Sequence, residues 1–145
     1  MTSRSIRVVK VIVGILAGMA AMLALATLWH QTGLAAPPTK ASYPYTDYLM
    51  NCRSWPFTAA QFALSVVLGV LLRRTWPIAL GMICPFAIAL EVELHLDRTS
   101  HNLFPFEILL NWTPVFVVSW LGAFLGKSFI TRFTQPPVIP SRLSR

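Results

Sequence analysis

Val11-Ile12-Val13-Gly14-Ile15-Leu16-Ala17-Gly18-Met19-Ala20-Ala21-Met22-Leu23-Ala24-Leu25-Ala26-Thr27-Leu28-Trp29 is an apolar run of nineteen residues without a charged side chain. Arg4, Arg7 and Lys10 precede it, and Gly33-Leu34-Ala35 beyond it has the small-x-small form of a signal-peptide cleavage site. The apolar region of a signal peptide is only about 7–15 residues long, whereas a helix that spans a bilayer needs about 20. The run is too long for a signal and is read as a membrane-crossing helix. That reading decides the fold, because three more apolar runs follow.

The second run is Phe57 to Leu72, closed by Arg73-Arg74, the third is Ile78 to Leu96, and the fourth is Pro105 to Ile130 with Pro114 inside it. Runs two and three open alike, with Arg53-Ser54-Trp55-Pro56 and Arg74-Thr75-Trp76-Pro77. Each places a hydroxyl near the N-cap, a proline in the first turn and a tryptophan at the interface. Shared helix-start chemistry explains the likeness, with internal duplication as the alternative. Pro114 should bend its helix unless neighbouring groups satisfy the freed backbone. The expectation is an all-α polytopic membrane protein, a four-transmembrane-helix bundle with spans near 8–29, 56–72, 77–96 and 106–128. Residues 1–130 then form one membrane domain, and 131–145, with Arg132, Arg142, Arg145 and three prolines, a mobile basic cytoplasmic tail.

Composition agrees. The 145 residues are 55% hydrophobic and only 12% charged, unlike an ordinary soluble domain. A net charge of +7 would suggest nucleic acid if the basic residues formed a stripe on a soluble face, but they flank the apolar runs. The charge is therefore topological, and nucleic acid is excluded as a partner. Threading four spans puts nine Arg and Lys on the side of the termini, against Lys40, Arg53 and Arg98 on the other. By the positive-inside rule both termini are expected in the cytoplasm, N-in and C-in, in a bacterial inner membrane. Cys52 and Cys84 have no CxxC or metal-finger spacing and read as a loop thiol and a buried apolar thiol.

Between the first two runs, residues 31–54 contain Pro37, Pro38, Pro44 and all three tyrosines. Thr46 is placed to cap a short helix on which Tyr45, Tyr48, Leu49 and Cys52 share a face. Such a helix suits an interfacial anchor, or a docking surface for a partner. Within the spans Gly14, Gly18, Gly122 and Gly126 form small-xxx-small pairs at similar depth on the first and last helices, where helix backbones can approach closely. With Gly69 and Gly81 they predict a bundle tight at the cytoplasmic side and splayed toward the outside.

The polar focus is residues 91–107, which hold four of the five acidic residues and two of the three histidines. On a helical wheel Glu91 and His95 lie with Cys84, and Glu93 and Asp97 lie on another side. Glu91 falls inside the apolar layer near its outer surface, where a carboxylate needs a protein partner or a wet cavity. Three roles compete for Glu91, Glu93, His95, Asp97, Arg98, His101, Asn102 and Glu107. One is a satisfied polar staple, in which Glu91 or Glu93 pairs with Arg98 or with loop amides while Asn102 and Glu107 start the fourth helix. Another is a divalent metal or catalytic site built from Glu91, His95, His101 and Glu107. The third is proton or cation carriage by Glu91, Glu93 or Asp97.

The loop Thr99-Ser100-His101-Asn102-Leu103-Phe104-Pro105-Phe106-Glu107 is similar to loops of small four-span bacterial inner-membrane proteins without assigned function. That resemblance implies a membrane location and no particular activity. No P-loop, dinucleotide fingerprint, nucleophile elbow, haem-attachment or zinc-protease motif occurs. The expectation is an accessory or stabilising subunit of a larger membrane complex, or a homo-oligomer, with the bilayer and other membrane subunits as partners. A small transporter or metal-dependent membrane enzyme is the alternative.

Overall fold

The computed structural model describes residues 3–36, 44–96 and 105–134. Five helices make up most of the described chain, and no strand occurs among these residues: α1 (Ser3–Gln31), α2 (Pro44–Met50), α3 (Trp55–Leu72), α4 (Trp76–Leu96) and α5 (Pro105–Thr134). Four of them, all but the seven-residue α2, are long and apolar enough to cross a membrane.

The helix ends follow from local chemistry. Ser54 is extended and its hydroxyl accepts from the Phe57 amide at 3.4 Å, so α3 starts where the serine satisfies a first-turn donor and Pro56 has none to satisfy. It ends at Arg73, which adopts the left-handed conformation (φ 53°) and donates its amide to the Gly69 carbonyl at 3.0 Å. The short turn 73–75 then leads directly into α4. At the end of α1, Gly33 has φ 71°, Leu34 donates to the Trp29 carbonyl (3.2 Å) and Gly33 to that of His30 (3.1 Å). This is a Schellman closure, which needs a left-handed residue at Gly33's position. The small-residue triplet that resembles a cleavage site is therefore a helix stop in the fold.

α5 runs four residues into the segment expected to be tail. The sequence has no proline between Pro114 and Pro136, and the Phe129 and Phe133 rings meet at 4.6 Å one turn apart. It also continues through Pro114, and α4 through Pro85.

The four long helices pack as two parallel pairs, α1 with α4 and α3 with α5, joined mainly between α4 and α5. Gly14 lies against Pro77, and Gly18 against Ile78 and Gly81, so residue numbers rise together along that seam. In the other pair Gly122 meets Phe62 and Ser65, Gly126 meets Val66 and Val70, and Gly69 meets Ala123. The glycines of the first and last spans thus serve separate seams, each facing a different helix. A Cβ at Gly122 would fall 2.7 Å from the Phe62 carbonyl oxygen, and one at Gly18, Gly69, Gly81 or Gly126 would be closer still to a backbone oxygen. Hydrocarbon offers no hydrophobic drive for helix association, so this backbone-to-backbone dispersion carries the pairing.

Parallel pairing and the 73–75 turn bring the start of α1, the end of α3, the start of α4 and the end of α5 to one end of the bundle. That end holds Arg4, Arg7, Lys10, Arg73, Arg74, Lys127 and Arg132, seven of the eight described basic residues. Arg53 is at the other end, where large side chains take over. There Met22, Trp29, Leu49, Phe57, Met82 and Phe86 form a buried cluster, with Trp29 edge-on to Phe57 at 5.4 Å between ring centres.

Candidate functional site at the α2 end of the bundle

The short helix is laid across the ends of α1 and α4 and is held at both of its termini. At its start the Tyr45 amide donates to the Glu93 carboxylate of α4 at 2.5 Å. At its finish the Tyr48 carbonyl lies 2.7 Å from His30 Nε2 of α1, and since a carbonyl only accepts, Nε2 carries the proton. The His30 ring also stacks on the Tyr48 ring, 3.9 Å between centres and 13° from parallel. An acid at the amide end and an imidazole at the carbonyl end both complement the peptide dipoles, and each satisfies a backbone group that a seven-residue helix leaves open. α2 begins at Pro44, ahead of the expected Thr46 cap, because proline suits the first turn and Glu93 supplies the capping acceptor from another helix.

Beyond α2, Cys52 is fully buried with its Sγ 3.5 Å from the Tyr48 carbonyl and 3.8 Å from that of Ala26. Burial pushes the Cys52 thiol up from 9.0 to about 11, because the thiolate would lose its solvation. Both cysteines are free thiols. The Ala36 amide donates to the Asn51 carbonyl at 2.9 Å, tying the chain just after α1 to the chain just after α2. Trp29 Nε1 is buried here without a hydrogen-bond partner.

Of the acids whose side chains are described, Glu93 is buried, 2% exposed, and Glu91 is exposed. Of these two candidate acids it is Glu93 that reaches the interior. The inner face of α4 runs Ile78, Met82, Phe86, Ala89 at spacings of three and four, and Glu93 extends it by one more turn, whereas Glu91 is off that stripe. A backbone donor on Glu93 comes from α2. His95 and Glu107 lie in the α4 and α5 backbones with side chains outside the described residues. Asp97, Arg98, His101 and Asn102 lie outside the described residues altogether. Among the described residues no three His, Cys, Asp or Glu gather as a metal site would require.

Under α2 lies an apolar cleft of about 340 Å³ between α1 and α4. Met19 and Leu23 form one wall, Pro85, Ile88 and Val92 the other, and Tyr45 and Tyr48 the roof. Leu23, Ile88 and Val92 are exposed, so the cleft opens sideways toward whatever surrounds the bundle. On the far side a polar bridge joins α3 to α5. Buried Gln61 donates from Nε2 to the Val115 carbonyl (3.0 Å) and to Ser119 Oγ (2.8 Å), and Ser65 Oγ donates to the Gln61 carbonyl (2.8 Å).

Sequence reasoning passed over His30, Pro85 and Gln61. Gln61 had a readable signal, since it is the sole amide side chain in the second apolar run. A search for related proteins gives no match to a family profile, to a curated protein or to a solved structure.

Proposed function

We propose that the protein is an accessory subunit that stabilises a larger membrane assembly. In this reading both termini are cytoplasmic in a bacterial inner membrane and α2 lies at the outer surface. Among the described residues, seven basic residues at the bundle end shared by the start of α1 and the end of α5, against Arg53 at the other, support the orientation through the positive-inside rule. The observation that carries the function is the cleft under α2. A short helix fixed at both ends roofs it with two tyrosines, and tyrosine supplies rigid contact area at low entropy cost. α1 is exposed along much of its span, as α3 is, and far more than α4, which leaves it a broad face for a partner helix. The bundle interior, by contrast, is filled by seams of glycine and a hydrogen-bonded Gln61, with its polar groups directed at one another.

The reading of the polar focus as a transport or metal site draws on His95, Asp97, His101 and Glu107, together with Glu91 and Glu93. Of the two described members, Glu93 is engaged with the start of α2, which favours the staple. The test is a photo-reactive residue at Ile88 in native membranes. The expected result is one cross-linked species of defined mass, abolished by Leu23→Trp, which fills the cleft, and kept by Leu71→Trp on another face. A second copy of this chain in that species makes the assembly homo-oligomeric. A monodisperse, uncross-linked particle carrying an activity alone contradicts the proposal.

A further inference from the structure

At the opposite end from α2 a groove of about 620 Å³ runs between α3 and α5. Val66 and Val70 line one side and Phe124, Leu125 and Phe129 the other, and Ser128 and Arg132 complete it toward the basic end. It runs beside the glycine seam, where Gly126 brings the α5 backbone against Val66 and Val70. Pairing of Gly126 with Val70 puts Arg132 six residues, or about 9 Å, further along α5, past the end of α3 at Leu72 and level with Arg73 and Arg74. The groove is therefore apolar within the span and cationic where the span ends.

Among the described residues the charge around it lacks an acidic counterpart. Seven described basic residues gather at this end, while all five acids of the chain fall between Asp47 and Glu107, and the described Glu91 and Glu93 stand at the other end. An anionic headgroup of the surrounding bilayer can balance them. We propose that this groove is a binding site for one anionic phospholipid, with an acyl chain against Phe124, Leu125 and Phe129 and the headgroup phosphate at Ser128 and Arg132. Guanidinium and hydroxyl donors suit a phosphate, and the tail occupies space that the two helices leave open. The site goes beyond the subunit reading and lies at the opposite end from the α2 cleft.

Native mass spectrometry of the detergent-released protein, titrated with phosphatidylglycerol or phosphatidylcholine, tests it. The expected result is one tightly retained phosphatidylglycerol per chain and weaker phosphatidylcholine. Arg132→Gln should lower the preference for the anionic lipid roughly fivefold, the worth of one basic side chain at a membrane surface. Leu125→Trp, at an exposed position, should weaken both lipids by filling the groove, and Arg53→Gln should change neither. Equal retention of the two lipids by the unmodified protein, an unchanged preference in Arg132→Gln, or unchanged binding in Leu125→Trp would each overturn the proposal.

Discussion

The two ends of this bundle are built on opposite principles. At the basic end, helices touch backbone to backbone through Gly18, Gly69, Gly81, Gly122 and Gly126, where no added atom fits, and Gly14 sits against the Pro77 ring. At the α2 end, large side chains fill the space and a short helix is fixed by two titratable groups, Glu93 and His30. The first end has no slack and reads as the fixed part of the fold. The second is held by a few replaceable hydrogen bonds, so it is the end able to adjust to a partner.

The largest expected effect follows from this contrast. Gly126→Leu should unfold or dissociate the α3–α5 pair at a cost at or above about 3 kcal/mol, the upper part of the range for overpacking. Gly33→Ala, where an added Cβ meets nothing within 4 Å, should cost only the left-handed backbone strain of about 1–2 kcal/mol. Thermal unfolding in detergent compares the two, and equal losses would erase the distinction between the ends. Next, Glu93→Leu should release the start of α2 at about 1 kcal/mol, as for a lost helix cap. Hydrogen exchange should show the Tyr45 amide deprotected while the glycine seams stay protected; protection of Tyr45 equal to the unmodified protein would remove Glu93 from this role. Gln61→Leu should be smaller, about 0.6 kcal/mol, typical of a hydrogen bond between membrane helices, and should loosen α3 from α5 only.

The last prediction concerns rate. With its thiol raised to about 11 from 9.0, Cys52 should hold about a hundredfold less thiolate at pH 8 than an ordinary cysteine and react with maleimide correspondingly slowly. The folded state favours the neutral thiol, so this group leaves stability unchanged below pH 9 and lowers it as pH rises toward 11, where the unfolded chain ionises first. Labelling of Cys52 in the folded protein as fast as a free thiol would show that the α2 platform is open.

The four spans were legible because apolar run length and first-turn prolines are local signals, and α3 starts at Trp55 where Ser54 and Pro56 place it. Which helices pair was not legible. Gly14 and Gly18 announce a close approach but carry no information about its partner, which turned out to be α4 around Pro77 and Gly81. The wheel drawn from Cys84 and Glu91 followed polar residues, whereas the buried face of α4 is marked by Met82, Phe86 and Ala89, and that stripe leads to Glu93. His30 was invisible as a site residue because its partner, Tyr48, is eighteen positions away and meets it only once α2 folds back across α1.

The most direct test of the central claim is sidedness in sealed membrane vesicles. Single cysteines at positions 4, 51, 74 and 131, in a Cys52→Ala, Cys84→Ala background, are labelled with a membrane-impermeant maleimide. Positions 4, 74 and 131 should react from one face and position 51 only from the other. Labelling of positions 51 and 74 from the same face would mean that α3 does not cross the membrane, and the two parallel pairs could not form.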